Sequence, residues 1–147
     1  MADLATTANG MTISNGTDFA IPRGYICTVD LNTLDGKLKL ANALNGAVSM
    51  KDKIGDTLRV VDIVTTAGVR ARTGEECVNS YLICEDGTVY FSQSDGVSRS
   101  LKVLVAIFTD AETGKFVSPV SLGVGMQVKE QTLANGNTLK SVVPVQL

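Results

Sequence analysis

Apolar and polar positions alternate or recur in clear blocks from about Gly55 onward, and less clearly before it. Leu58 to Thr66 (LRVVDIVTT) is rich in β-branched residues and apolar at both parities, which predicts a long, bent, central strand covered on both faces. Ala67 to Glu76 is a polar loop carrying Gly68 and Gly74. Val78 to Glu85 and Thr88 to Gln93 read as two strands joined by Asp86-Gly87, a strong signal for a two-residue hairpin loop. With that loop Cys84 opposes Val89, Ile83 opposes Tyr90, Leu82 opposes Phe91 and Tyr81 opposes Ser92. Leu82, Cys84, Val89 and Phe91 would then face the core. Tyr81, Ile83, Tyr90 and Ser92 would face outward.

A helix follows, capped by Ser94 or Asp95 and ending near Thr109. Val97, Leu101, Leu104, Val105 and Phe108 make its buried stripe, with Arg99, Lys102 and Ala106 off it. Asp110 to Gly114 is loop. Val120, Leu122, Val124, Met126 and Val128 alternate with Ser121, Gly123, Gly125, Gln127 and Lys129, a half-buried strand. Asn135-Gly136 turns the chain into a partner strand, Leu139 to Val145, whose Pro144 belongs at a sheet edge.

The N-terminal part is less patterned. Residues 1–20 are rich in Ala, Thr, Asn and Gly and read as a flexible arm. Tyr25 to Leu31 reads as a strand and Asp35-Gly36 as a turn. Lys37 to Leu44 fits a strand or a short helix. Ser49 to Ile54 fits one helical turn stopped by Gly55. The expected layout is an arm over 1–20 and one domain over 21–147, mainly β with some helix (α+β). From Leu58 the order is strand, strand, strand, helix, strand, strand. That predicts a five-stranded OB-type barrel with one helix between strands 3 and 4, and an N-terminal strand and short helix packed on it. A five-stranded open sheet with one helix is the competing layout.

Composition narrows the chemistry. The chain has 147 residues, 44% hydrophobic and 19% charged, enough apolar surface for one packed domain. It contains no histidine, which removes Ser-His-Asp and Cys-His catalysis and His-based metal sites. Cys77 and Cys84 stand seven apart, so they form no C-x-x-C motif, and Cys27, Cys77 and Cys84 read as buried thiols in a reducing cytoplasm. The first twenty residues lack a basic stretch followed by an apolar run, and no apolar run is long enough to span a bilayer. Gly123-Val124-Gly125 lies within a strand pattern and lacks a nucleotide loop's following helix. Asp52, Asp56 and Asp62 read as turn and strand residues rather than a carboxylate site. No enzyme activity, cofactor or metal is expected.

Two features point to a ligand. Tyr81 and Tyr90 on the outward hairpin face would offer flat rings on which bases can stack, although they could instead pack under the arm or in a subunit contact. Cations are available for phosphates: Arg70 and Arg72 in the loop after the first barrel strand, Lys51 and Lys53 before that strand, Arg99 and Lys102 on the exposed helix side. The net charge of −2 argues against charge-driven binding to duplex DNA but leaves room for a local basic strip.

The runs Asn42-Ala43-Leu44-Asn45, Ile54-Gly55-Asp56, Val61-Asp62-Ile63-Val64, Tyr81 to Gly87, Tyr90, Ser94-Asp95-Gly96-Val97 and Ile107-Phe108 carry a family likeness over residues 25–110. In this order the chain resembles single-stranded DNA-binding proteins of conjugative plasmids and phages of Gram-positive bacteria. The resemblance implies an OB fold and binding of single strands with little sequence preference, and Tyr90 falls on the family's aromatic after the hairpin. The expected partner is single-stranded DNA, with RNA left open. The expected assembly is a homo-oligomer along the strand in the bacterial cytoplasm, with no membrane. The alternative is a self-assembling particle or tube subunit of a virus or mobile element, suited by the low charge and the Ala/Thr/Asn/Gly arm.

Overall fold

The computed structural model describes residues 25–147 throughout. Before them it describes only the backbones of three short strands, β1 (Leu4–Thr6), β2 (Thr12–Ser14) and β3 (Asp18–Ala20), paired antiparallel in that order. The rest of the expected arm over residues 1–20 lies outside the described residues.

The body is built on two sheets and two helices. Helix α1 (Leu34–Gly46) and the short strand β4 (Val48–Ser49) precede a 3-10 turn, Lys51–Lys53. Strands β5 (Thr57–Leu58) and β6 (Val60–Val69) are two halves of one chain run broken at Arg59. Then come β7 (Glu76–Cys84), β8 (Val89–Ser92), helix α2 (Asp95–Ile107), β9 (Val124–Thr132) and β10 (Thr138–Gln146). One sheet has the order β4-β8-β7-β6 and the other β10-β9-β5. The bent run from Thr57 to Val69 belongs to both, with a register irregularity between Val60 and Asp62 where it turns the corner.

That run is buried on both faces, as its pattern predicts. Val60, Ile63, Leu82, Leu101, Met126 and Val128 belong to a first core between the two sheets and α2. Val64, Tyr81, Ile83 and Val89 belong to a second core on the opposite face, under Leu40 and Ala43 of α1. The four-stranded sheet is therefore a middle layer.

Among the described residues the strands do not close into a five-stranded barrel. Seven strands make up the two sheets, and no ladder joins β8 to β10. The hydrogen-bonding edge of β8 is taken by β4, which pairs parallel to it as Val48↔Tyr90 and Ser49↔Phe91, with Met50 N donating to Phe91 O at 3.0 Å. Among the described residues no strand pairs with the outer edge of β10, and Pro144 sits on that edge strand as expected.

Other expectations also shift. Asp35-Gly36 is not a turn but the first turn of α1. The Thr33 side chain accepts from Gly36 N at 3.0 Å, and a Cβ at Gly36 would fall 1.6 Å from Asp30 O, so glycine is there to let the helix meet the chain before it. Tyr25 to Leu31 makes one bridge, Cys27↔Val64, rather than a full strand. Val120 and Leu122 do not extend β9. Pro119 starts a 3-10 turn over Pro119–Leu122, Gly123 ends it at φ +74°, and Leu122 is 59% exposed.

The most consequential shift is one residue of register. Gly87 N donates to Cys84 O at 3.0 Å, and Cys84 N to Thr88 O at 2.8 Å. Gly87 has φ +91°, and Asp86 Oδ1 accepts from Thr88 N. The loop therefore holds three residues, Glu85 to Gly87, a turn completed by a left-handed glycine. Pairing becomes Tyr81↔Phe91, Leu82↔Tyr90 and Ile83↔Val89. Side chains alternate along a strand, so this slip moves Tyr81 and Tyr90 to opposite faces.

Candidate nucleic-acid interface

The two tyrosines have separate fates. Tyr81 is buried at 8% exposure in the second core, its ring centroid 5.3 Å from that of Phe91. The expectation of an outward Tyr81 is corrected: its ring packs in the second core under α1. Tyr90 is half-buried, packs its ring against the first core and lines a cleft. Lys53 Nζ lies 5.6 Å from the Tyr90 ring centroid, within reach of a cation–π contact.

Two clefts flank the Lys51–Lys53 turn. The first, of about 370 Å³, opens where β8 and β10 fail to pair. Its cations are Lys51, Arg70 and Lys140, its other walls include Phe91, Gln93 and Ser94, and no carboxylate lines it. Lys51 and Lys140 have no ion-pair partner among the described residues. Lys140 is brought in by the packing of α2 on β10: a Cβ at Gly96 would lie 2.0 Å from Lys140 O, so the first turn of α2 rests directly on that strand. Sequence reasoning missed Lys140, because only the pairing of distant strands carries it to the site.

The second cleft, of about 400 Å³, holds Tyr90 with Lys53 and Arg59, but also Asp56, Glu85 and Asp86. Lys53 approaches Asp56 at 4.0 Å, and Arg59 is paired with Glu85. The backbone N–H of Thr88 holds the Asp86 carboxyl below the usual carboxylate range. This cleft carries a mixed field.

The remaining expected cations are dispersed. Arg70 is half-buried and bonded to Gln93 O and Asp95. Arg72 is exposed in the β6–β7 loop. Arg99 and Lys102 lie on the exposed side of α2, as their spacing predicts, and line neither cleft. A third cleft of about 580 Å³, between Tyr25, Thr109 and Phe116, contains none of the expected site residues.

Among the described residues no group of three Cys, Asp or Glu side chains is placed to hold a metal ion, and no helix is long and apolar enough to cross a membrane. Burial pushes the Cys84 thiol up to about 11, with Asp86 and Glu85 adding to the rise, and burial also raises Cys27. A thiolate nucleophile is not available at either position near neutral pH.

A family model described as Phage Single-stranded DNA-binding protein matches residues 20–134. No curated protein and no solved structure matches the chain.

Proposed function

Because the chain belongs to the family of phage single-stranded DNA-binding proteins, we propose that it coats single-stranded DNA by seating the strand in the cleft between its two sheets. The observation that carries this reading is the charge of that cleft: Lys51, Arg70 and Lys140 line it and no acid does. With a net charge of −2, attraction for phosphates has to come from such a local concentration and not from the chain as a whole. The strand follows the edge past the Lys51–Lys53 turn, with phosphates on Lys51 and Lys140, and exposed Arg72 in the β6–β7 loop is available for a further one. Beyond the turn, a base stacks on the Tyr90 ring.

In this reading the two sheets are an OB-type barrel left open at the β8–β10 seam. The four-stranded sheet, the bent first strand and the helix before β9 support it. Neither stacking nor phosphate contacts read base identity, so binding has little sequence preference. The protein protects strands exposed during phage DNA replication in the host cytoplasm, without catalysis. The same coat would serve a plasmid strand in transfer. Copies sit side by side on one strand, and the exposed Leu34 and Leu38 of α1 are available for contacts between them.

The test is fluorescence anisotropy with labelled oligo-dT, the matching duplex and an RNA of equal length, over a range of salt. Tight binding to oligo-dT, weak binding to duplex, and a log–log salt slope of about −0.7 per phosphate contacted are expected. Equal affinity for duplex, or no salt dependence, overturns the reading.

A further inference from the structure

Arg70 differs from the two lysines that share its cleft. Its side chain is only 31% exposed, and its guanidinium donates to Gln93 O at 3.1 Å and to Asp95 Oδ1 at 3.3 Å, with Glu75 Oε2 at 3.8 Å. Its backbone closes the loop it opens: Arg70 N donates to Glu75 O at 2.9 Å, and Gly74 N to Arg70 O at 2.8 Å. Gln93 extends the network, donating from Nε2 to Asn79 Oδ1 at 3.0 Å and to Val69 O at 3.3 Å. A Cβ at Gly68 would lie 2.2 Å from Asn79 Oδ1, so the small residue on β6 leaves room for that amide on β7. One polar chain thus joins the end of β6, the start of β7, the exit of β8 and the first residue of α2.

We infer that Arg70 is a positioning residue of the DNA cleft: it clasps the 70–75 loop to the β8–α2 junction and so sets the wall against which the strand lies. The inference rests on the reading of this cleft as the DNA seat. The charge of Arg70 is already met by Asp95 and Glu75, whereas Lys51 and Lys140 have no such partner among the described residues. A phosphate taking Arg70 would have to displace a carbonyl fixed in the backbone. Nη2 holds both Gln93 O and Asp95 Oδ1 while Nη1 faces Glu75 Oε2, so the two ends of the planar fork reach acids on either side of it, a span that a single lysine ammonium cannot reproduce.

The experiment is oligo-dT anisotropy over a salt series on the full chain, with circular dichroism on each variant to confirm folding. Arg70→Lys and Arg70→Ala are each expected to weaken binding about fivefold, as loss of half-exposed ion pairs and their hydrogen bonds implies, and Asn79→Ala, which removes the acceptor that fixes Gln93, to weaken it in the same direction. Their salt slope is expected to stay at the wild-type value. Lys51→Ala is the reference for a direct contact and lowers the slope by about 0.7. Wild-type affinity in Arg70→Lys, or a slope loss in Arg70→Ala equal to that of Lys51→Ala, makes Arg70 a phosphate ligand and overturns the inference. Asn79→Ala changes no charge and decides the matter should Arg70→Ala not fold; wild-type affinity there also overturns it. Failure of the wild-type chain to bind oligo-dT is a separate result, since it removes the cleft's function and not only Arg70's part in it.

Discussion

The two clefts beside the Lys51–Lys53 turn have nearly the same volume, about 370 and 400 Å³, but one is lined by cations alone and the other by charges of both signs. The first gathers three cations and no carboxylate. The second sets Lys53 and Arg59 against Asp56, Glu85 and Asp86, yet it holds Tyr90. Lys51 and Lys53 are two residues apart, but at three residues per turn their side chains leave the 3-10 turn about 120° apart, one into each cleft. The clefts differ in what lines them: two lysines without an ion-pair partner among the described residues in the first, the half-buried Tyr90 ring among mixed charges in the second, with the turn as the shared wall.

The sharpest way to break this comparison is through the tyrosine that belongs to neither cleft. Tyr81→Ala is expected to cost ~3–5 kcal/mol of stability in denaturant unfolding, as truncation of a buried aromatic does. The oligo-dT affinity of the protein that stays folded should not move. A loss of affinity at full stability would return Tyr81 to the binding surface.

Tyr90→Leu keeps apolar contact with the first core and removes the flat ring. We expect oligo-dT binding to loosen by ~1–3 kcal/mol with a smaller change in stability. Unchanged affinity would reduce Tyr90 to a core residue and leave the second cleft without a role.

Charge is tested more gently. Lys51→Ala and Lys140→Ala should each take about 0.7 from the salt slope, while Glu85→Gln in the second cleft leaves it unaltered. If Glu85→Gln changes the slope as much as the lysine variants do, phosphates lie against the second cleft and not along Lys51 and Lys140.

The smallest effect concerns Cys84, on the wall of the second cleft. Its thiol titrates at about 11 in the folded chain against an ordinary value of 9.0. The folded state holds the proton more tightly, so the contribution is complete below pH 9 and is lost as pH rises through 11. Unfolding measured from pH 8 to 11 should show a steeper alkaline decline in the wild type than in Cys84→Ala. Parallel curves would mean that the thiol is not buried as described.

Much of the β-rich half is legible in the sequence. Leu58 to Thr66 is apolar at both parities because both faces of β6 are covered, and the stripe Val97, Leu101, Leu104 marks the buried side of α2. Asp86-Gly87 and Asn135-Gly136 mark both hairpin loops correctly. The candidate site was less legible. Arg70 and Lys51 do line the cationic cleft, but the shared outward face expected for Tyr81 and Tyr90 fails because the hairpin loop holds one residue more than its dipeptide signal implies. α1 is hidden at its start by a glycine that serves close packing rather than a turn.

The sequence by itself determined which segments could be strands or helices, because local periodicity and turn residues act over a few positions. It also determined that histidine chemistry is absent. Only the tertiary structure decided that β4 takes the edge of β8, that Lys140 joins Lys51 in one cleft, and that neither lysine has an ion-pair partner among the described residues. Those outcomes depend on contacts between residues 40 to 90 positions apart, and no local pattern encodes the hydrogen-bonding edge a strand will find.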